Sequence, residues 1–128
     1  MHLVDERHDG DGWLVLPFPD QPAFEAWLEE NQESEPGLWL KLAKKGRGIA
    51  TVAFEDAQET AMCFGWVDSK MHRVDDDYYV LRYQPRRPRA SWTEGNQRLA
   101  ERLIGEGRMR AAGRAQVDAA RSDGRWTI

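Results

Sequence analysis

Cys63-Phe64-Gly65-Trp66-Val67-Asp68-Ser69-Lys70-Met71, then Val74-Asp75-Asp76-Asp77 and Tyr78-Tyr79-Val80-Leu81-Arg82-Tyr83, is the stretch on which the fold turns. Gly65 is the residue that can take the left-handed conformation closing a helix, and Phe54, Ala57, Ala61 and Phe64 recur on one side of the segment before it. Thr51 can cap that helix, with Glu55 and Asp56 placed in its first turn where the helix dipole favours carboxylates. After Gly65 the period changes from helical to alternating. Trp66 to Met71 and Tyr78 to Tyr83 read as two strands joined across an acidic turn, a hairpin.

Upstream, Gly37-Leu38-Trp39-Leu40-Lys41-Leu42 alternates as a third strand, with Leu38, Leu40 and Leu42 on one face and Trp39 and Lys41 on the other. Trp13-Leu14-Val15-Leu16 reads as a short edge strand stopped by Pro17 and Pro19. Asp20 and Pro22 start a helix over about residues 21–33, which Pro36-Gly37 ends. Downstream, Ser91-Trp92-Thr93-Glu94 fits a capping box, and Trp92, Asn96, Leu99 and Leu103 form a stripe on the helix that follows. Gly105-Glu106-Gly107 breaks that helix. Ala111 to Ser122 is a last helix, ended at Gly124, with Trp126 folding back as an anchor. The order of elements predicts an α+β fold: a small antiparallel sheet of three to four strands packed with about four helices, ending in a helical hairpin. Residues 1–12, polar and rich in Gly and Asp, are expected to be a flexible tail before a single domain over 13–128.

The charges are unevenly placed. Residues 1–40 carry one basic and ten acidic side chains, whereas residues 81–128 carry eleven and five, all eleven of the cations being Arg. Either the two ends pair with each other in the fold, or the Arg-rich end has its own anionic partner. The single Cys63 cannot form an internal disulfide, the first residues carry neither the cationic start nor the apolar run of a signal peptide, and no stretch approaches a bilayer span. The expectation is a soluble, cytoplasmic protein with no membrane partner.

Alternation puts Leu38, Leu40, Leu42, Val67, Tyr79, Leu81 and Tyr83 on the core side of the sheet. It leaves Trp39, Lys41, Trp66, Asp68, Tyr78, Val80 and Arg82 opposite. Two Trp interleaved with Lys, Asp and Arg describe a surface that could hold a small anionic or planar ligand by charge and stacking. The competing reading is that this face is covered, both Trp are core, and Asp68 pairs with Arg82. Pro85-Arg86-Arg87-Pro88-Arg89 is a stiff cationic turn ahead of a helix start, which suits a phosphate or carboxylate or serves only as a connector. Asn96 sits on the apolar stripe with Trp92, where it either orients a ligand or ties the turn to the helix. The candidate ligand-binding residues are therefore Trp39, Lys41, Trp66, Asp68, Arg82, Arg86, Arg87, Trp92 and Asn96.

No catalytic set emerges. Cys63 lies at a helix C-terminus, where the dipole raises rather than lowers a thiol's pKa, and it reads as a small buried hydrophobe. His2, His8 and His72 lack ligand spacing and Asp75-Asp76-Asp77 lacks the alternating oxygens of a calcium loop, so neither metal nor cofactor is expected. Phosphate-loop, nucleophile-elbow and dinucleotide fingerprints are absent.

Several blocks together resemble the YdeI/OmpD-associated (bacteriocin-protection) family. They are Phe24-x-x-Trp27-Leu28, Leu38-Trp39-Leu40-Lys41-x-x-Lys44-Lys45, Phe54-Glu55-Asp56-Ala57, Cys63-Phe64-Gly65-Trp66-Val67-Asp68, Pro85-Arg86-Arg87-Pro88, Leu103-Ile104-x-x-Gly107-Arg108-Met109-x-x-Ala112-Gly113 and Asp123-Gly124-Arg125-Trp126. The resemblance spans about residues 14–126. It implies protection against bacteriocins or cationic peptides and association with an outer-membrane porin, and it supplies no catalytic residue. The preferred reading is a non-enzymatic stress or protection module binding a small anionic or planar ligand. The alternative is nucleic-acid contact through the Arg-rich hairpin of residues 91–122, although an acidic chain of pI about 5.4 makes duplex nucleic acid an unexpected partner.

Overall fold

The computed structural model describes residues 6–8 and 10–128. Along the chain run β1 (Glu6–Arg7), β2 (Leu14–Pro17), α1 (Gln21–Asn31), β3 (Leu38–Ala43), α2 (Phe54–Cys63), β4 (Trp66–Arg73), β5 (Tyr78–Pro85), α3 (Glu94–Gly105) and α4 (Ala111–Ser122). The fold is α+β, a five-stranded sheet in the order β1-β2-β3-β5-β4. It is mixed rather than antiparallel. β2 runs parallel to β3, because the chain between them crosses over through α1, and that helix starts where Asp20 accepts from the Ala23 amide.

β2 was expected at the edge but lies inside it, covered by β1. This corrects the expected loose tail over 1–12 for Glu6–Arg7; residues 1–5 and 9 lie outside the described residues. Among the described residues, no helix is long and apolar enough to cross a membrane.

β3 follows its alternation. Leu38, Leu40 and Leu42 pair with Tyr83, Leu81 and Tyr79 and pack with Phe24 and Leu28 of α1, Ala57 and Ala61 of α2, Leu103 of α3 and Val117 of α4. The other face carries a smaller cluster of Val15, Trp39 and Val80 with Trp13 laid against it.

β4 breaks the alternation. Asp68 pairs with Tyr83 but Lys70 pairs with Arg82, so Ser69 is an extra residue in a bulge. Before the bulge Trp66 and Asp68 face the helices and Val67 faces away, the reverse of the expected assignment; after it Lys70 and His72 share the face of Arg82 and Val80.

Two helix starts also differ. Thr51 accepts from the Ala43 amide and leaves α2 to begin behind Ala53 with no side-chain cap. The cap of α3 is Thr93, not Ser91, and its hydroxyl accepts from the Asn96 amide. Gly65 takes φ +78° as expected of a helix stop. Trp126 does return, its ring 5.2 Å from Trp92, while the buried Gln97 carboxamide accepts from the Thr127 and Ile128 amides.

Candidate functional site

The bulge at Ser69 decides which side chains meet. On the face away from the helices, Val67, Lys70, Arg82 and Gln84 line an open cleft of about 560 Å³, together with Arg87 and Ala90 of the loop after β5. Ser69 Oγ and Arg82 both donate to Gln84 Oε1, at 2.9 and 3.4 Å, which leaves the Gln84 amide hydrogens for another acceptor. Arg82 lies 3.8 Å over the Trp13 ring and donates from Nε to Asp11 Oδ2 at 3.3 Å. Neither Lys70 nor Arg87 has a carboxylate within ion-pair distance among the described residues. The cleft therefore gathers cations and amide donors, with Asp68 bordering it from the helix side of the edge strand, and is built to meet an anion.

Behind the edge strand, on the helix side, lies a cavity of about 30 Å³ lined by Trp66, Asp68, Tyr83, Arg86 and Asn96 together with Gln58 of α2. It shares Val67 and Asp68 with the cleft. Arg86 is only 5% exposed, its guanidinium 3.9 Å over the Trp92 ring, with Nη1 donating to the Ser91 carbonyl at 3.1 Å. Burial, and then the neighbouring Arg125, hold its pKa below the ordinary arginine value while Asp68 opposes them. Burial pushes the Tyr83 phenol up, and the Asp68 carboxylate pushes it further the same way, so the hydroxyl stays protonated. That hydroxyl is buried without a hydrogen-bond partner among the described residues.

The nine residues singled out in the sequence thus divide. Asp68, Arg82 and Arg87 reach the cleft, and Trp66, Asp68, Arg86 and Asn96 line the cavity. Trp92 is the platform under Arg86 rather than a ligand contact. Trp39 is 2% exposed, stacked on His8 at 4.2 Å with Nε1 donating to Asp11, and Lys41 lies over the Tyr78 ring. Neither reaches either space, and Trp39 and Trp66 lie on opposite faces of the sheet. They cannot sandwich a planar ligand. The expected Asp68–Arg82 pair does not form, since the bulge sends the two to opposite faces and Asp11 takes Arg82 instead.

Lys70, Tyr83, Gln84 and Gln58 went unrecognised. Lys70 and Gln84 lie on the face of Arg82 that plain alternation gives them and Tyr83 keeps its core-side position; what no turn residue announces is the bulge that turns Asp68 to the helix side.

Cys63 is buried, and burial raises its thiol pKa in spite of Arg108 nearby. It borders a separate cavity of about 230 Å³ with Arg108 and Arg110, both already paired to carboxylates. Every arginine from Arg98 to Arg125 lies within ion-pair distance of a carboxylate. The positive field of the C-terminal helices is largely neutralised in place.

A family model described as Domain of unknown function (DUF8412) matches residues 16–116. The chain belongs to this family. The DUF8412 span contains every residue of the cleft and the cavity, whereas the Asp11 and Trp13 contacts to Arg82 and the Trp126 anchor fall outside it. No curated protein and no solved structure matches the chain.

Proposed function

We propose that this protein is a non-enzymatic, cytoplasmic module that binds a small anionic ligand in the cleft at the β4 bulge. The observation that carries the reading is the placement of Lys70 and Arg87, exposed and without carboxylate partners among the described residues, in the same cleft as Arg82 and the free Gln84 amide. A site of this kind binds by charge-assisted hydrogen bonds and needs no group to change protonation. The neutralised arginines of α3 and α4 favour this reading over nucleic-acid contact. A stress or protection role rests on the sequence blocks that resemble the YdeI/OmpD-associated proteins.

The test is a titration with inorganic phosphate at constant ionic strength, followed by calorimetry and thermal melting. The wild type is expected to show saturable stabilisation at millimolar phosphate, because a ligand that binds only the folded state raises the melting temperature by mass action. Lys70→Ala/Arg87→Ala should lose the saturable increment while melting near the wild type in its absence, since both side chains are exposed. Parallel responses of the two proteins would reduce the effect to general salting and remove the cleft as a site.

A further inference from the structure

The small cavity behind β4 holds a set of polar groups that do not satisfy one another. The Tyr83 residue is 1% exposed and its hydroxyl has no partner among the described residues. Among the described residues, Arg86, buried over Trp92, makes a side-chain hydrogen bond only to the Ser91 carbonyl. Asn96 makes no side-chain hydrogen bond among the described residues, since the α3 cap uses its backbone amide. Asp68 receives one long bond, 3.5 Å, from Gln58 Nε2. Although they line the same space, Asp68 and Arg86 form neither a hydrogen bond nor an ion pair with each other. A buried hydroxyl left in this state costs stability, and the unpartnered Tyr83 beside the singly bonded Arg86 and the half-buried Asp68 and Asn96 points to a ligand that completes them.

The chemistry of the walls selects that ligand. A cationic head would meet Arg86, and a carboxylate head would meet Asp68. A neutral head that accepts on one side and donates on the other meets neither penalty: its oxygen would take hydrogen bonds from Arg86 and Tyr83, and its N–H groups would give them to Asp68 and Asn96. A void of about 30 Å³ admits roughly two water-sized groups. That matches the oxygen and nitrogen of a primary carboxamide or urea whose carbon sits at the mouth. We propose that the cavity is an inner subsite for such a head, and that the ligand of this module is a small acid bearing a carboxamide or ureido group, its anionic end held in the cleft. The proposal rests on the cleft reading, because the two spaces meet at Val67 and Asp68.

Three probes separate the subsites by calorimetry: succinamate, with a carboxamide at one end and a carboxylate at the other; succinate, with carboxylates at both; and inorganic phosphate. The wild type is expected to bind succinamate about tenfold more tightly than succinate, the size of one well-made buried hydrogen bond. Tyr83→Phe removes a hydroxyl that bonds nothing in the protein, so it should melt at or above the wild type. It should also lose most of the succinamate preference and leave phosphate binding unchanged. Asn96→Ala should reduce the same preference. If succinamate fails to bind, or binds no better than succinate, or keeps its advantage in Tyr83→Phe, the inner subsite is overturned. Saturable phosphate binding sensitive to Lys70→Ala/Arg87→Ala would still leave the cleft standing. Loss of phosphate binding in the wild type would reject the cleft and this inference with it.

Discussion

Trp66 shows how one residue's role depends on a bond pattern several positions away. Its ring is 3% exposed and meets Trp27 edge-on with centroids 5.9 Å apart, inside the main core. An aromatic side chain so enclosed leaves a large void when truncated. Trp66→Ala is therefore expected to lower the unfolding free energy by about 3–5 kcal/mol in urea denaturation, against less than about 1.5 for a residue lining an open pocket. Arg86 carries a related lesson. A pair of arginines between prolines reads as one cationic surface, yet Arg86 is buried on Trp92 with its own backbone amide on Gly65, and only Arg87 faces solvent. The stiff turn positions one cation inside the fold and leaves the other for a ligand.

Among the elements, α4 packs closely on the C-terminal end of α2 at Gly113. A Cβ added at Gly113 would lie 2.4 Å from the Cys63 carbonyl oxygen and 2.7 Å from that of Met62. Gly113→Ala gains at most about 1 kcal/mol of helix propensity. The obstacle is backbone that cannot rotate aside, so overpacking costing about 1–3 kcal/mol should prevail. The variant is expected to unfold at lower denaturant, with a steeper loss than the exposed control Ala112→Gly.

The same scale shows what could be read in advance. Strict alternation in Leu38-Trp39-Leu40-Lys41-Leu42 announces β3 and its core face, and Asp20 with Pro22 announces α1. The parallel pairing of β2 depends on the crossover through α1, which period-two patterning does not encode. The bulge at Ser69 is invisible for a similar reason: one inserted residue shifts the register without altering composition, and it moved Trp66 and Asp68 to the face opposite the one their alternation implied. That shift puts Trp66 and Asp68 in the wall of the cavity.

Across the whole molecule, the acidic first third and the Arg-rich last third are joined by ion pairs. Arg110 reaches Glu25 and Glu29, Arg82 reaches Asp11, and Glu59 in the middle of the chain receives Arg102 and Arg108. These contacts set how the fold responds to acid. Burial alone would raise Asp11, but the Trp13 amide, the Trp39 indole and Arg82 outweigh it and hold it below its ordinary value of 3.8. Hydrogen bonding from Gln21 and then Arg110 lowers Glu25 from 4.5, and Arg108 with Arg102 lowers Glu59 against its burial.

Each of these folded-state values lies below its unfolded one, so in acid the unfolded chain binds more protons than the native protein. Their contribution is fully present above about pH 5 and is lost as pH falls through the depressed values. Urea midpoints are expected to hold level from pH 7 to about 5 and then to decline. Asp11→Asn/Glu25→Gln/Glu59→Gln should begin lower at pH 7 and fall less steeply, converging on the wild type in acid. Because the groups are partly solvated, 0.5 M salt should narrow the gap at pH 7. Curves that stay parallel down to pH 3 would show that the two charged ends of the chain are not held together by these carboxylates.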